Sequence, residues 1–312
     1  MLTPRFPRHA ALPLTLAALG CLALPAHAVE NGATITPPGI FEFGAGMLPP
    51  PTEHGTLGLR TSFVSADDLR DNQGNKTPVS TRLRVKTVSL AYVRTTHIDL
   101  LGGKYAFSAI VPWLDMNLRL GIPTPAGVIE QAGSANALGD IQISPVIVQW
   151  NLGPGLFANA GLQLQLPTGD YDRSRLINAG SNHWTVTPNA AFTYVSKTGF
   201  EVSSAFSLNY NARNKDTQYR SGVEFQHDFG VGQHIGPWTV GLGGYRYQQI
   251  TDDKAPGLTQ GNRSRVTALG PAVSFFDPTS KMPIIFAHVY KEFGARNRAQ
   301  GTQVAIRAAW SF

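Results

Sequence analysis

Through most of the chain, apolar and polar residues alternate with period two, which puts one class on each face of a sheet. The clearest stretch is the last. Val304, Ile306, Ala308, Trp310 and Phe312 share one face, against Gln303, Ala305, Arg307, Ala309 and Ser311. Phe200, Val202, Phe206, Leu208 and Tyr210 oppose Glu201, Ser203, Ser207 and Asn209. Tyr219, Val223, Phe225 and Phe229 oppose Arg220, Glu224, Gln226 and Asp228. The pattern predicts strands at 54–66, 84–98, 104–118, 139–151, 156–167, 183–195, 199–211, 216–230, 237–250, 263–276, 282–293 and 301–312. It slips within 84–98, 139–151, 237–250 and 282–293, where bulges near Gly243-Gly244 and Pro145 are expected.

The connections between these strands carry more information than the strands. Most odd-numbered ones, such as 67–83, 119–138 and 168–182, are long and polar. The even-numbered ones, such as 99–103 and 152–155, are short, and the seventh, 212–215, is short but polar. An up-and-down barrel with short periplasmic turns and long outside loops has this parity; a soluble sandwich has no reason for it. The expected fold is all-β: a transmembrane up-and-down antiparallel β-barrel of about 12 strands spanning 54–312, with both termini periplasmic.

In such a barrel the apolar face meets lipid and the other face lines the lumen. Here the second face carries Glu, Arg, Gln, Asn and Thr among many Gly, Ala and Ser. Tyr105, Trp113, Trp150, Trp184, Tyr194, Tyr210, Tyr219, Trp238 and Trp310 fall near strand ends, where two interfacial girdles are expected. Closure follows, because an open sheet edge cannot sit in hydrocarbon. The ending at Trp310-Ser311-Phe312 looks like the C-terminal signal read by the bacterial barrel-assembly machinery.

Composition agrees. Hydrophobic residues are 42% and charged residues 15% of the 312, against roughly 25% charged in soluble domains. Pro and Gly interrupt the apolar stretches outside the N-terminus, leaving none long enough for a spanning helix. Residues 1–28 read as a signal peptide: Arg5 and Arg8, an apolar stretch, then Ala26-His27-Ala28, so cleavage is expected near Ala28. Cys21, the single cysteine, leaves with this leader. Losing two arginines lowers the net charge from +6 to +4, too mild to argue for nucleic acid. Residues 29–53 are too rich in Gly and Pro for a strand. Their apolar Ile40, Phe41, Phe43 and Met47 would be unfavourable in water, which favours a candidate lumen plug over a periplasmic tail.

Several motifs resemble those of the meta-pathway phenol-degradation family of outer-membrane β-barrel proteins. They are Met47-Leu48-Pro49-Pro50-Pro51, Leu138-Gly139-Asp140-Ile141, Leu164-Gln165-Leu166-Pro167-Thr168-Gly169-Asp170-Tyr171, Ala268-Leu269-Gly270-Pro271, and Glu292-Phe293 through Gly301. The resemblance implies export to the bacterial outer membrane and passage of aromatic hydrocarbons; it is no enzyme assignment. Structural roles are expected for Asp140, Pro167, Gly169 and Asp170, with Pro167 and Gly169 making the strand's loop exit.

Candidate chemistry is sparse. No Ser has Gly two residues before and after it, and no HExxH or cysteine-based metal motif exists. The His-x-Ser-Asn-Gly signature of outer-membrane phospholipase is missing; Ser181-Asn182-His183 has similar residues in the wrong order. No cofactor and no metal are expected. Arg60, Glu201, Arg220, Glu224, Asp228 and Arg307 are expected to face the lumen and form an ion-paired lining that sets charge preference. Glu201 and Glu224 are expected on neighbouring strands, paired with Arg220 or sharing a proton. The function this favours is a passive channel or transporter for small, apolar or aromatic solutes. A surface adhesion or structural barrel is the alternative, and a membrane hydrolase the third. Expected partners are outer-membrane lipid and lipopolysaccharide, the assembly machinery and the solute, with a monomer favoured.

Overall fold

The computed structural model describes residues 37–258, 262–280 and 282–312. The expected signal peptide, its cleavage point and residues 29–36 lie outside the described residues. Thirteen strands follow one another: β1 (Thr56–Arg70), β2 (Ser80–Leu100), β3 (Gly103–Thr124), β4 (Gly127–Leu138), β5 (Gln142–Gly153), β6 (Leu156–Gln165) and β7 (Thr185–Val195). Then come β8 (Phe200–Asn211), β9 (Glu224–Ile235), β10 (Trp238–Gln249), β11 (Arg265–Phe275), β12 (Ile284–Arg296) and β13 (Arg298–Ser311). All neighbours are antiparallel, β1 pairs with β13, and β2 pairs with β3, which closes the sheet on itself. Closure through β2 and β3 leaves no open edge in the lipid band, so the strands there pair without water; among the described residues only β4, above the β3–β5 pairing, has a single neighbour, β3. β4 and β5 both lie along β3, on its upper and lower parts. The thirteen strands therefore form a closed twelve-strand barrel.

Three stretches differ from the sequence expectation. The expected loop at 119–138 is a hairpin, in which β3 runs on to Thr124 and β4 returns from Gly127. The expected loop at 294–300 shrinks to Asn297, whose φ of 50° makes the tight reversal between β12 and β13. Asn tolerates that left-handed conformation better than most residues. The expected strand at 216–230 starts only at Glu224, because residues before it fold against the 250–264 connection through an isolated bridge between Arg220 and Lys254.

The slips in alternation have identifiable causes. Around Pro145 the β5–β6 register does shift, between Ile143 and Val146. At Gly243-Gly244 there is no bulge, and β10 pairs regularly on both sides. The glycines are there for space: a Cβ on Gly243 would come 2.2 Å from the Tyr290 hydroxyl, and one on Gly244 would come 2.1 Å from the Ala268 carbonyl. In β2 and β3 the alternation inverts. Val88, Leu90, Val111 and Trp113 point outward and are exposed. One to three rungs higher the outward residues are Lys86, Arg84, Asp115 and Asn117, while Leu83, Val85, Met116, Leu118 and Leu120 turn inward around Ile177. The lipid boundary lies between these sets. Above it β2 and β3 pack as in a soluble protein, apolar inside and charged outside, whereas the loop end of β7 to β10 buries polar side chains such as Asn209, Asn211, Glu224 and Gln249.

That boundary gives a depth-dependent expectation. Leu90→Arg should cost about 2–4 kcal/mol of folding free energy in lipid vesicles, whereas Asn117→Arg should cost about 0–1 kcal/mol. Equilibrium refolding of both variants into bilayers checks this.

Candidate functional site: the barrel interior and its N-terminal segment

Residues 37–53 form no strand, yet they run against the inner face of the wall from β13 across to β5. Their backbone is held by wall side chains. Asp228 on β9 accepts from three successive amides, those of Gly39 (3.1 Å), Ile40 (2.9 Å) and Phe41 (3.3 Å). Glu201 on β8 accepts from the Gly44 amide at 2.7 Å, and is itself met by Ser203 Oγ and by His234 Nε2, each at 2.7 Å. Thr193 Oγ1 accepts from Gly46 N (2.9 Å), Gln149 Oε1 accepts from Leu48 N (2.9 Å), and Asn159 Nδ2 donates to the Ala45 carbonyl (2.9 Å). Gln303 Nε2 donates to the Pro38 carbonyl at 3.1 Å.

The segment answers with one charge of its own. Glu42, the only charged residue in 37–52, is 3% exposed. One oxygen meets His288 Nδ1, and the other accepts from the Arg307 guanidinium at 3.3 Å. Arg307 lies directly opposite Arg60 in the β1–β13 register. Like charges so placed repel, and the segment supplies the Glu42 carboxylate beside them. Arg60 also reaches the Gly39 carbonyl at 3.5 Å. The fit requires bare backbone on β9: a Cβ on Gly230 would lie 1.9 Å from the Glu42 carbonyl, and one on Gly232 would lie 2.7 Å from the Phe43 ring. Phe43 packs in an apolar cluster with Tyr245, Tyr247 and Tyr290, while Ile40 and Met47 are half-buried and Phe41 is exposed.

Of the six expected lining residues, Arg60, Glu201, Asp228 and Arg307 meet this segment. Glu224 is buried but sits at the far end of the wall, accepting from Asn209 and Asn211 at 3.2 and 3.0 Å. The expected pairing of Glu224 with Glu201 or Arg220 does not occur, since Glu201 lies opposite Gly232 and Glu224 opposite Asn209, eight residues away along β8. Arg220 is exposed in the 212–223 connection, its Nε donating to the Asn211 carbonyl at 2.9 Å. Tyr219 leaves the expected girdle for the same reason, its hydroxyl donating to Asp253 at 2.5 Å. Burial raises the Asp253 carboxyl from its ordinary 3.8 to about 6, against the hydrogen bonds from Tyr219, Gly222 and Gln249. Glu42, His288, Thr193, Gln149 and Asn159 escaped the sequence reading.

The motif residues form a separate latch at the loop end. Asp140 sits in the Gly139–Ile141 break between β4 and β5. It accepts from the amides of Gly169 and Ser181 (both 2.8 Å) and from Ser181 Oγ (2.6 Å). Gly169 and Gly180 touch so closely that a Cβ on Gly169 would lie 2.7 Å from Gly180 Cα. Pro167 ends the run after β6, and Asp170 pairs with Arg175. Ser181 therefore serves a carboxylate and not an imidazole; His183 Nδ1 faces the Trp184 carbonyl at 3.2 Å. Among the described residues, no group of three or more His, Cys, Asp or Glu could hold a metal ion. A recess of about 850 Å³ lies on the lipid side, where exposed Phe63, Val88, Val240, Val289 and Val304 line it. At the C-terminus, Trp310 and Phe312 point outward, and the Phe312 amide donates to the Gly55 carbonyl at 3.0 Å.

The family described as "Putative MetA-pathway of phenol degradation" matches residues 66–308. The chain belongs to this family. Both halves of the Asp140 latch fall inside the matched span. A comparison with curated proteins finds no match. Among solved structures, the chain is similar to an outer membrane channel from Pseudomonas putida F1, with a TM-score of 0.71 and 16% identity over 89% of this chain and 100% of that one. It is also similar to the transport unit of the autotransporter AIDA-I from Escherichia coli, with a TM-score of 0.52 and 12% identity over 86% and 95%. At these identities the likeness is one of fold, that of outer-membrane β-barrels.

Two expectations follow for this family member. In Asp228→Ala three amides lose their acceptor, at about 1–3 kcal/mol for each buried donor left unsatisfied. Hydrogen exchange at Gly39, Ile40 and Phe41 should accelerate at least tenfold while the strand amides stay protected. For Asp253, the folded value lies above the unfolded one, so its contribution to stability is fully present below about pH 4 and is lost as pH rises through about 6. Exchange at Gly222, corrected for its intrinsic pH dependence, should rise over that window, and Asp253→Asn should abolish the step.

Proposed function

We propose that the chain is a passive channel of the bacterial outer membrane for small apolar or aromatic solutes, with residues 37–53 acting as a plug that sets what passes. The observation that carries this reading is the two-sided binding of the segment. Wall carboxylates hold its amides, and its Glu42 is held by His288 and Arg307. A barrel whose only task was to display outer loops would gain nothing from a polar interior matched to an internal segment. The family's link to phenol degradation supports an aromatic cargo.

Proteoliposome swelling tests the cargo. After subtraction of the rate in empty liposomes, a hydroxybenzoate should enter at least tenfold faster than a pentose such as arabinose. Equal rates would mean a general aqueous pore and would overturn the aromatic preference.

A further inference from the structure

Four cations on the outward face of β10, β11 and β12 have no carboxylate. Arg265 lies directly opposite Arg296, and Arg246 lies opposite Thr267, one rung below. Thr267 in turn faces Phe293, and the next rung down pairs Leu269 with Lys291. The cluster is therefore a ladder: Arg265 and Arg296 at the top, Arg246 flanking Thr267 and Phe293, and Lys291 beneath. Among the described residues none of the four makes an ion pair, although Arg84, Lys86 and Arg263, also at the loop end, each do. The hydrogen-bond partners of Arg246 and Lys291 are neutral: Gln248 Oε1 at 2.9 Å and Thr302 Oγ1 at 3.3 Å.

Like charges directly opposite on a sheet destabilise it. At Arg60 and Arg307 inside the barrel, the fold supplies Glu42. On this outer face the described residues supply no carboxylate partner. The local backbone makes room as well. The β11–β12 register shifts between Arg265 and Thr267, Gly294 adopts a φ of 63°, and a recess of about 160 Å³ opens between Arg246, Arg265, Thr267, Phe293 and Gly294. Its height is fixed by what lies below. Leu242, Leu269, Val289 and Phe293 are exposed outward residues of the lipid band. The recess is at the rim of that band, at the end with the long loops, which in an outer-membrane barrel faces outside.

We propose that this recess binds a phosphate monoester on the headgroup of an outer-leaflet glycolipid, whose acyl chains lie along Phe293 and Leu269. Guanidinium groups suit the task because their planar fork gives paired, charge-assisted hydrogen bonds to phosphate oxygens. Basic recesses at the membrane surface select phosphorylated lipid headgroups on the same physical ground. An anion there relieves the Arg265–Arg296 repulsion, so the lipid stabilises the barrel as well as docking to it. The proposal depends on the membrane-spanning fold and is independent of what the lumen carries.

The test uses refolded mature protein in detergent micelles, titrated with bis-phosphorylated lipid A, with the same lipid stripped of its phosphates, and with inorganic phosphate, read by native mass spectrometry. Bis-phosphorylated lipid A should bind at least tenfold more tightly than the stripped lipid. The Arg265→Gln/Arg296→Gln double variant should lose that difference. Because the substitution removes a like-charge contact, this variant should keep the heat-resistant folded band of the wild-type barrel in gels. A second variant, Arg246→Gln, should lower the affinity severalfold and guards against a double variant that fails to fold. Equal binding of both lipids, or undiminished preference in Arg246→Gln and the double variant, would overturn the proposal. If inorganic phosphate binds as tightly as the lipid, the occupant is a free anion and the lipid assignment fails.

Discussion

A sheet in hydrocarbon has no water to satisfy its amides, so its last strand must pair with its first, and that one requirement organises this molecule. β1 pairs with β13 along nearly its whole length and with β2 on its other side. Once the wall is closed, the alternation of side chains decides what each surface can be. The outward set is apolar only as high as Phe63, Val88 and Trp113. Above that height Asp67, Lys86 and Asp115 take over, and along β2 and β3 the inward set becomes the apolar one. One continuous wall thus contains two solvent environments, and the change of sign marks the membrane surface.

Closure also creates an interior that the wall's own side chains leave unbalanced. Asp228 and Glu201 face inward without an arginine partner, while Arg60 and Arg307 face each other. The segment 37–53 answers both. Its amides satisfy the carboxylates, and Glu42 sits by the arginines and His288. Gly230 and Gly232 are the steric counterpart of this electrostatic match, since a side chain on either would occupy space the segment fills. Outside, Arg246, Arg265, Lys291 and Arg296 make no ion pair among the described residues.

Most of the barrel was legible in the sequence because period-two alternation is a local property. The strands from β6 to β8 and β13 emerge within a few residues of their observed limits. Legibility fails where the pattern depends on something distant. The 119–138 hairpin reads as a loop because above the membrane its outward residues are polar and its Gly and Ala are frequent. The Gly243-Gly244 pair suggests a bulge, whereas Gly243 admits Tyr290 from across two strands and Gly244 clears the Ala268 carbonyl. Arg220 alternates correctly with Glu224 but belongs to a connection folded on Lys254. Within the site, four wall residues were legible from their parity. Glu42 was not, though a lone carboxylate between Phe41 and Phe43 in a Gly- and Pro-rich stretch is a local signal. His288, Thr193, Gln149 and Asn159 carry no signal at all, because only the path of the segment distinguishes them from other inward polar residues.

On the proposed reading, residues 37–53 close the lumen by filling it. Single-channel conductance in planar bilayers tests it most directly, comparing the mature chain with one lacking residues 29–53. A plugged lumen gives small or silent conductance for the mature chain and steady ohmic steps, severalfold larger, for the truncated one. Equal conductance from two correctly folded barrels would contradict it.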